Sequence, residues 1–531
     1  MAESAPTIDA SDTSEGYARV ASSGTRWTTA QSILNKIATA FAMIVIAFTM
    51  TPTDFGLASV VVVVSGFIMV LPVYVMGDVL IAHQRHKAVV IGVARRVIAR
   101  VAIVLALAMI ALAPLIGIWF DQYPFAPIVA LLAFSAGRPI ADALMVVPVT
   151  RMRIAFRFRE IAVINGISQL GVTVTTVVWA LLWPSAAAIV VPQVLGALIR
   201  SFWFLAAARH VHTRASQRTG RMEARHPDLV PQLIRRVSRE FSTAALGQYL
   251  HTVVSGLPLM MASQFVSESA TGEFSFAFSL ANQASAILAY QLGIVLQPIF
   301  GRLKSDPSRQ ISGFMRVVAL MSSIMIPIAF LQAALGEPMF VLLFPEKWMA
   351  AVPIFVAFSV GLAFALLIAP SMALLKAQGS FTTYFIWQIA QAVACLALFP
   401  MAALMWGGLG IAWTDTILWA ISVPLIVWLG SRGAGVRGTT VLRLLLTPWL
   451  TAAPIAIGAY LAWQALPGPP KVAAAIAVLG IGPVSLLLAL LAVRFTQPGV
   501  FAVFAPFMAR KLKLIPGIGR PLAVLFTPTA Q

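Results

Sequence analysis

The sequence predicts an all-α, polytopic membrane protein of about fourteen transmembrane helices. Three observations lead there. Apolar stretches of membrane length recur along the whole 531-residue chain, 60% of which is hydrophobic. A run of about 20 apolar residues crosses the ~30 Å hydrocarbon core as a helix. The runs are long and unalternating, so helices, which satisfy their own backbone in lipid, are favoured over a barrel. Lys and Arg also fall almost wholly in every second loop.

A polar lead, 1–27, comes first. It carries Glu3, Asp9, Asp12 and Glu15 and lacks a basic start followed by a short apolar core. That pattern predicts a disordered cytoplasmic segment rather than a cleaved signal, with the first span directing insertion. The spans are read at 28–50, 57–82, 97–119, 125–147, 161–183, 186–208, 241–264, 274–297, 315–336, 351–375, 382–404, 407–430, 447–466 and 472–493. The long basic interruption at 209–240 divides them. The organisation expected is an N-terminal six-helix bundle (28–208), a basic cytoplasmic linker (209–240) and a C-terminal six-helix bundle (241–430). Two additional helices (447–493) and a cytoplasmic amphipathic tail (494–531) follow.

Charge fixes the orientation. If the N-terminus and every second loop are cytoplasmic, that side holds 32 of the 37 Lys and Arg. The other side holds only Lys347 and Lys471, and its loops carry Asp54, Asp121, Glu268, Glu273, Glu337 and Glu346. This bias places both termini in the cytoplasm. The net charge of +19 is thereby explained by topology and by anionic lipid headgroups, which removes the case for a nucleic-acid partner. The single cysteine, Cys395, excludes an intrachain disulfide and a cysteine-rich metal site. His210-x-His212 sits in an Arg-rich loop and reads as solvated. No G-x-x-x-x-G-K-[ST] loop occurs, which disfavours direct ATP hydrolysis, and neither cofactor nor metal is called for.

The two halves echo each other. Gly56 to Arg85 spans 29 residues and Gly272 to Arg302 spans 30, each beginning at an external turn and ending at a basic exit. Six helices per half is an even number, so the repeat is parallel, a transporter plan with the site between halves.

Several stretches carry a family resemblance. Met50-Thr51-Pro52-Thr53-Asp54-Phe55-Gly56-Leu57 resembles the "L-x-P-x-D/E-F/Y-G" turn of bacterial polysaccharide flippases. These belong to the multidrug, oligosaccharidyl-lipid and polysaccharide exporter superfamily. Gly272-Glu273-Phe274-Ser275-Phe276-Ala277 resembles the "G-x-Y/F-x-x-A" start of the eighth helix. Gln297-Pro298-Ile299-Phe300-Gly301-Arg302-Leu303 resembles "P-x-x-S-R-L", with Gly301 where Ser is common. Phe344-Pro345-Glu346-Lys347-Trp348-Met349-Ala350 resembles "F-G-x-K/R-W-x-x-A", with Pro345 where Gly is usual. Leu375-Lys376-Ala377-Gln378-Gly379 resembles "L-x-A-x-G". The ordered set covers roughly residues 26–440; the last two spans and the tail carry no such motif. These are read as fold residues: turn and cap formers at 52–56, and Trp348 as an interfacial anchor.

Charged groups inside apolar spans cost at least ~2.5–3.5 kcal/mol each near the bilayer centre and need a reason. Lys36 and Asp78 are placed to pair across the first two spans. Arg138 and Asp142 are four apart on the fourth, so they can pair on one face. Arg200 reads as snorkelling to headgroups, and Asp415 stands in the twelfth span. The seventh and eighth spans add Gln248, Tyr249, His251, Asn282, Gln283 and Gln291. Structural pairing is one reading. The other is a cavity lined by Lys36, Arg138, Asp142, Asp78, Gln248, His251 and Gln283. Its cations would offset the desolvation of a lipid-linked diphosphate, and its amides suit sugar hydroxyls.

The resemblance implies a monomeric, non-enzymatic flippase of a bacterial inner membrane. It would move a polyprenyl-diphosphate-linked oligosaccharide for surface polysaccharide synthesis, by rocking of bundles. Membrane lipids would be its other partners, and a proton or sodium ion would couple through Asp78, Asp142 or Asp415. A cation-coupled multidrug exporter of the same superfamily is the alternative. A polysaccharide polymerase or ligase would want a large external catalytic loop, and the external loops are short. In the tail, Val500, Phe501, Phe504, Phe507 and Met508 recur at helical spacing before Arg510, Lys511 and Lys513. They suit a helix in the membrane interface or one packed on the bundle, and the segment is expected to be dispensable.

Overall fold

In the computed structural model, residues 14–69, 87–155, 157–209, 246, 249–502 and 505 are described. Every regular element among them is a helix. In order these are α1 (Ser14–Thr49), α2 (Pro52–Met69), α3 (Lys87–Trp119), α4 (Phe125–Ser135), α5 (Gly137–Ile154), α6 (Phe158–Leu182) and α7 (Ala187–Ala208). After α8 (residues 249–265) come α9 (Glu268–Arg302), α10 (Pro307–Ala334), α11 (Gly336–Leu343), α12 (Val352–Ala365), α13 (Ile368–Gln378) and α14 (Phe381–Ser431). Then come α15 (Gly438–Gln464), α16 (Pro470–Ile476) and α17 (Gly482–Thr496), with residues 498–502 again helical. The all-α, polytopic class expected from the sequence is the class observed.

Eleven stretches among the described residues are long and apolar enough to cross a membrane. They account for twelve of the fourteen expected spans, because Thr382–Ser431 holds two, divided where Gly407 takes φ 61° and ψ −147°. A side chain is strained at that positive φ, and glycine permits the reversal. The seventh and eighth spans correspond to α8 and α9.

The chain forms two compact units. One comprises Met1–Met50 and Leu57–Val253, the other Thr51–Gly56 and Val254–Gln531. In the first, α1 packs along α6, α5 and α6 pack against α7, and α3 packs against α4 and α5. The α1 stripe at Met43, Ile46 and Ala47 is buried, as is Met50 just after it, while Ile37, Phe41 and Phe48 are more than 60% exposed. One face therefore meets protein and the other meets lipid. Where α1 and α6 pack together, the Arg159 guanidinium lies 5.1 Å from the centre of the Trp27 ring.

In the second unit, the short segment Thr51–Gly56 is where the sequence motifs meet. The Thr51 hydroxyl donates to Asp54 Oδ2 (2.6 Å) and accepts from the Asp54 N–H (3.2 Å), with Pro52 opening α2. This capping arrangement explains the Thr-Pro-x-Asp pattern. Gly56 then lies against α9: a Cβ there would stand 2.7 Å from the Glu268 carbonyl oxygen. Phe55 meets Phe276 and Trp348 edge-on, with centroids at 5.7 and 5.8 Å. Phe276 stacks on Trp348 at 4.1 Å and meets Phe344 at 5.1 Å. Three motifs far apart in the sequence thus build one aromatic cluster. Trp348, read from sequence as an interfacial anchor, is wholly buried in it. Its indole face is taken by Phe276 rather than by headgroups.

The last helices are integral to this unit. Leu331 of α10 packs with Ala456 and Ala459 of α15. Leu490 and Val493 of α17 pack with Phe501 and Ala505 and against Leu320 and Ile324 of α10. Gln497 Oε1 accepts from the Ser323 hydroxyl (2.8 Å), and its amide nitrogen donates to the Leu444 carbonyl (3.4 Å). Of the two readings of the tail, residues 497–502 and 505 follow the one in which it packs on the bundle; Phe504, Phe507 and Met508 lie outside the described residues.

Candidate functional site

The intramembrane charges of the first unit gather between α5 and α7. Arg138 opens α5, near the middle of the 29-residue span Phe125–Arg153 and about 20 Å along the helix axis from Phe125. Its Nη1 donates to Gln193 Oε1 on α7 at 3.3 Å. One turn on, Asp142 Oδ1 meets Arg200 Nη2 of α7 at 3.7 Å, with side chains 14% and 22% exposed. Beside the second pair the Ser201 hydroxyl donates to the Ala141 carbonyl at 2.5 Å. The partners advance together along both helices, so α5 and α7 run parallel.

Arg138 and Asp142 are therefore on one face, as their spacing predicts, but each takes its partner from α7. Arg200 is an ion-pair partner and not a snorkelling residue. Gln193 and Arg200, seven apart and on one face of α7, completed the site without being recognised as a pair. The signal available was that face: two long polar side chains at i and i+7 in an apolar helix.

The arrangement has unspent capacity. Two guanidiniums share one carboxylate, leaving one positive charge in excess. The Nε–H of Arg138 and that of Arg200 are both buried without a hydrogen-bond partner. Buried donors without partners carry a free-energy cost that an incoming acceptor would relieve. Guanidinium forks suit phosphate and carboxylate oxygens above other anions.

Lys36 lies on the protein-facing side of α1, one heptad before Met43 and two before Met50. Among the described residues no acid stands within ion-pair distance of it. Asp78, its expected partner, lies outside the described residues, as does Gln248. His251 on α8, still in the first unit, is exposed, and in the second unit Gln283 on α9 is part-buried with its Oε1 unbonded. Asn282 is engaged locally, its amide donating to the Phe278 carbonyl at 2.8 Å. Among the described residues no group of three or more His, Cys, Asp or Glu side chains is placed to hold a metal.

Residues 45–353 match the family described as polysaccharide biosynthesis protein, more than half of the chain. The chain belongs to that family. The family expected from the motifs is the family found. The matched stretch of this polysaccharide biosynthesis protein contains Arg138, Asp142, Gln193 and Arg200; Lys36 lies just before it. Among similar proteins is the succinoglycan biosynthesis transport protein ExoT of Rhizobium meliloti. It is 22% identical over 392 residues, 73% of this chain and 74% of that one. The teichuronic acid biosynthesis protein TuaB of Bacillus subtilis is 21% identical over 207 residues, 39% of this chain and 43% of that one. Among solved structures, the lipid II flippase MurJ in an inward closed conformation superposes with a TM-score of 0.66 at 13% identity. The match covers 88% of this chain and all of that one. The Vibrio cholerae MATE transporter VcmN, as its D35N mutant, gives 0.51 at 12% identity, over 79% and 97% of the two chains. At these identities the two structures establish a shared fold.

Proposed function

We propose that this polysaccharide biosynthesis protein is a transporter, not an enzyme, that flips a polyprenyl-diphosphate-linked oligosaccharide across a bacterial inner membrane, with both termini in the cytoplasm. The observation that carries the reading is the Arg138–Asp142–Arg200 group, which holds net positive charge and unpartnered guanidinium N–H groups deep in an apolar bundle. A diphosphate entering hydrocarbon loses its hydration, and preplaced cationic donors with room for further hydrogen bonds compensate. Lys36, on the inner face of α1, adds a second cation in the same unit. A multidrug exporter for cations would be poorly served by a guanidinium excess.

The test is deletion of the gene, followed by measurement of surface polysaccharide and of lipid-linked intermediates. Loss of the first with accumulation of the second is the expected result. In complementation, Arg138→Ala and Lys36→Ala should cut transport at unchanged protein abundance. Normal transport by both variants would reduce these charges to packing roles.

A further inference from the structure

The joint between α5 and α6 gathers more positive charge than its surroundings answer. Arg151 and Arg153 lie in the last turn of α5, and Arg157 and Arg159 flank the start of α6. The connection is tight. The Ala155 N–H donates to the Arg151 carbonyl and the Arg157 N–H to the Met152 carbonyl, each at 3.0 Å. Met152, between the first two arginines, is wholly buried and packs with Ile161, Ile164 and Phe204. The arginines on either side of it are half-buried at the edge of that cluster. α7 ends at the same corner, where Arg209 is exposed.

Glu160 is the only acid between Asp142 and Arg209. Its Oε2 accepts from Arg157 Nη1 at 3.2 Å. Arg159 is set over the Trp27 ring, and the Nε–H of Arg151 is buried without a hydrogen-bond partner. Five guanidiniums thus stand against one carboxylate. Charge that only sets topology needs neither a half-buried guanidinium nor one stacked on a ring.

A phosphate ester at the membrane surface is the ligand this corner suits. Trp27 is 41% exposed and is of the residue type that sits at headgroup level. Guanidinium forks take phosphate oxygens two at a time. A diphosphate, with two adjacent anionic groups, matches two arginine pairs on either side of one joint. A phospholipid with one phosphate would answer only part of the excess. α5 also links the corner to the intramembrane group. Arg153 follows Arg138 by about four turns, so it returns near the same face about 22 Å further along.

We propose that Arg151, Arg153, Arg157 and Arg159 form a capture site for the diphosphate of the lipid-linked substrate, occupied before the headgroup reaches Arg138 and Arg200. This rests on the function proposed above, whose orientation puts the corner at the cytoplasmic leaflet. Glu160 restrains the site, because it competes with the ligand for Arg157.

The full-length protein in phosphatidylcholine nanodiscs provides the test, with a radiolabelled polyprenyl diphosphate as the probe. Ala155, exposed between the two arginine pairs, is replaced by p-benzoylphenylalanine, so that light cross-links the lipid lying there. Total binding of the probe is measured alongside. Arg153→Gln combined with Arg157→Gln should weaken the Ala155 cross-link about tenfold in apparent Kd. Glu160→Gln frees Arg157 and should strengthen it about two- to fivefold. Loss of a merely structural ion pair would not tighten binding. Retained total binding with a cross-link that neither variant changes overturns the capture site and leaves the proposed function standing. Absence of any binding overturns both. Phosphatidylglycerol that competes mole for mole with the probe overturns the assignment to a diphosphate. If the double variant fails to fold, Glu160→Gln decides alone, and unchanged or weaker capture overturns the proposal.

Discussion

The carbonyl oxygen of Pro52 occupies the space that a side chain on Gly272 would need. Two turns that open different helices thus touch backbone to backbone, and the neighbouring Gly56 is held against Glu268 in the same way. Gly272→Ala should therefore push α9 off the Thr51–Gly56 segment and lower stability by roughly 1–3 kcal/mol or more. Gly313→Ala on α10 is the control, since a Cβ there meets nothing within 4 Å. It should be neutral or stabilising by up to about 1 kcal/mol. Thermal unfolding of the two variants in detergent, followed by size-exclusion chromatography, should separate them.

The Asp142–Arg200 pair joins two helices of one unit, and its energetics differ from those of an exposed pair. Removing only the carboxylate, in Asp142→Ala, leaves two guanidiniums facing each other. A double-mutant cycle with Arg200→Met should return a coupling of about 1–3 kcal/mol, with the double variant more stable than Asp142→Ala. Additive effects would mean that the 3.7 Å contact carries no stabilisation.

Topology is testable at exposed positions on a Cys395→Ser background. Cysteines at Ala350 and Ala465 should react in intact cells with a thiol reagent that does not cross the membrane. Cysteines at Ser305 and Thr439 should react only after permeabilisation. All four sites are exposed and free of positive φ. The reverse labelling pattern would overturn the orientation read from the loop charges.

The end of the chain should matter to stability, against the expectation of a dispensable tail. Truncation after Thr496 removes Gln497, which bonds to both Ser323 and the Leu444 carbonyl, and the buried Phe501. Gln497→Ala should cost about 1–2 kcal/mol and Phe501→Ala about 3 kcal/mol. Melting temperatures of the variants and of the truncated protein provide the measurement. Unchanged melting of the truncated chain would show that these contacts contribute nothing.

The spans and their class were legible because hydrocarbon thickness and loop charge act on composition, which a sequence displays directly. Residues in one helix were also legible: Arg138 and Asp142 do share a face. Partners across helices were not. Spacing could offer Asp142 only its i−4 neighbour, whereas the ion pair is made with Arg200, 58 residues on. Trp348 was misread for a related reason. Its residue type favours membrane interfaces, but its position is set by Phe55 and Phe276, which approach only through tertiary packing. Asp415 was visible as a charge in a span; that it is buried and bonded to Trp419 became visible only in the structure.

The assignment of Thr51–Gly56 to the second unit has a genetic corollary. A reading frame divided at the basic linker, 209–240, would seem to yield two self-sufficient products. The downstream product would lack six residues that belong to its own fold, the buried Phe55 among them. The boundary that looks natural in the gene is thus not a boundary of the folded protein, and the second half could mature only after, or together with, the first.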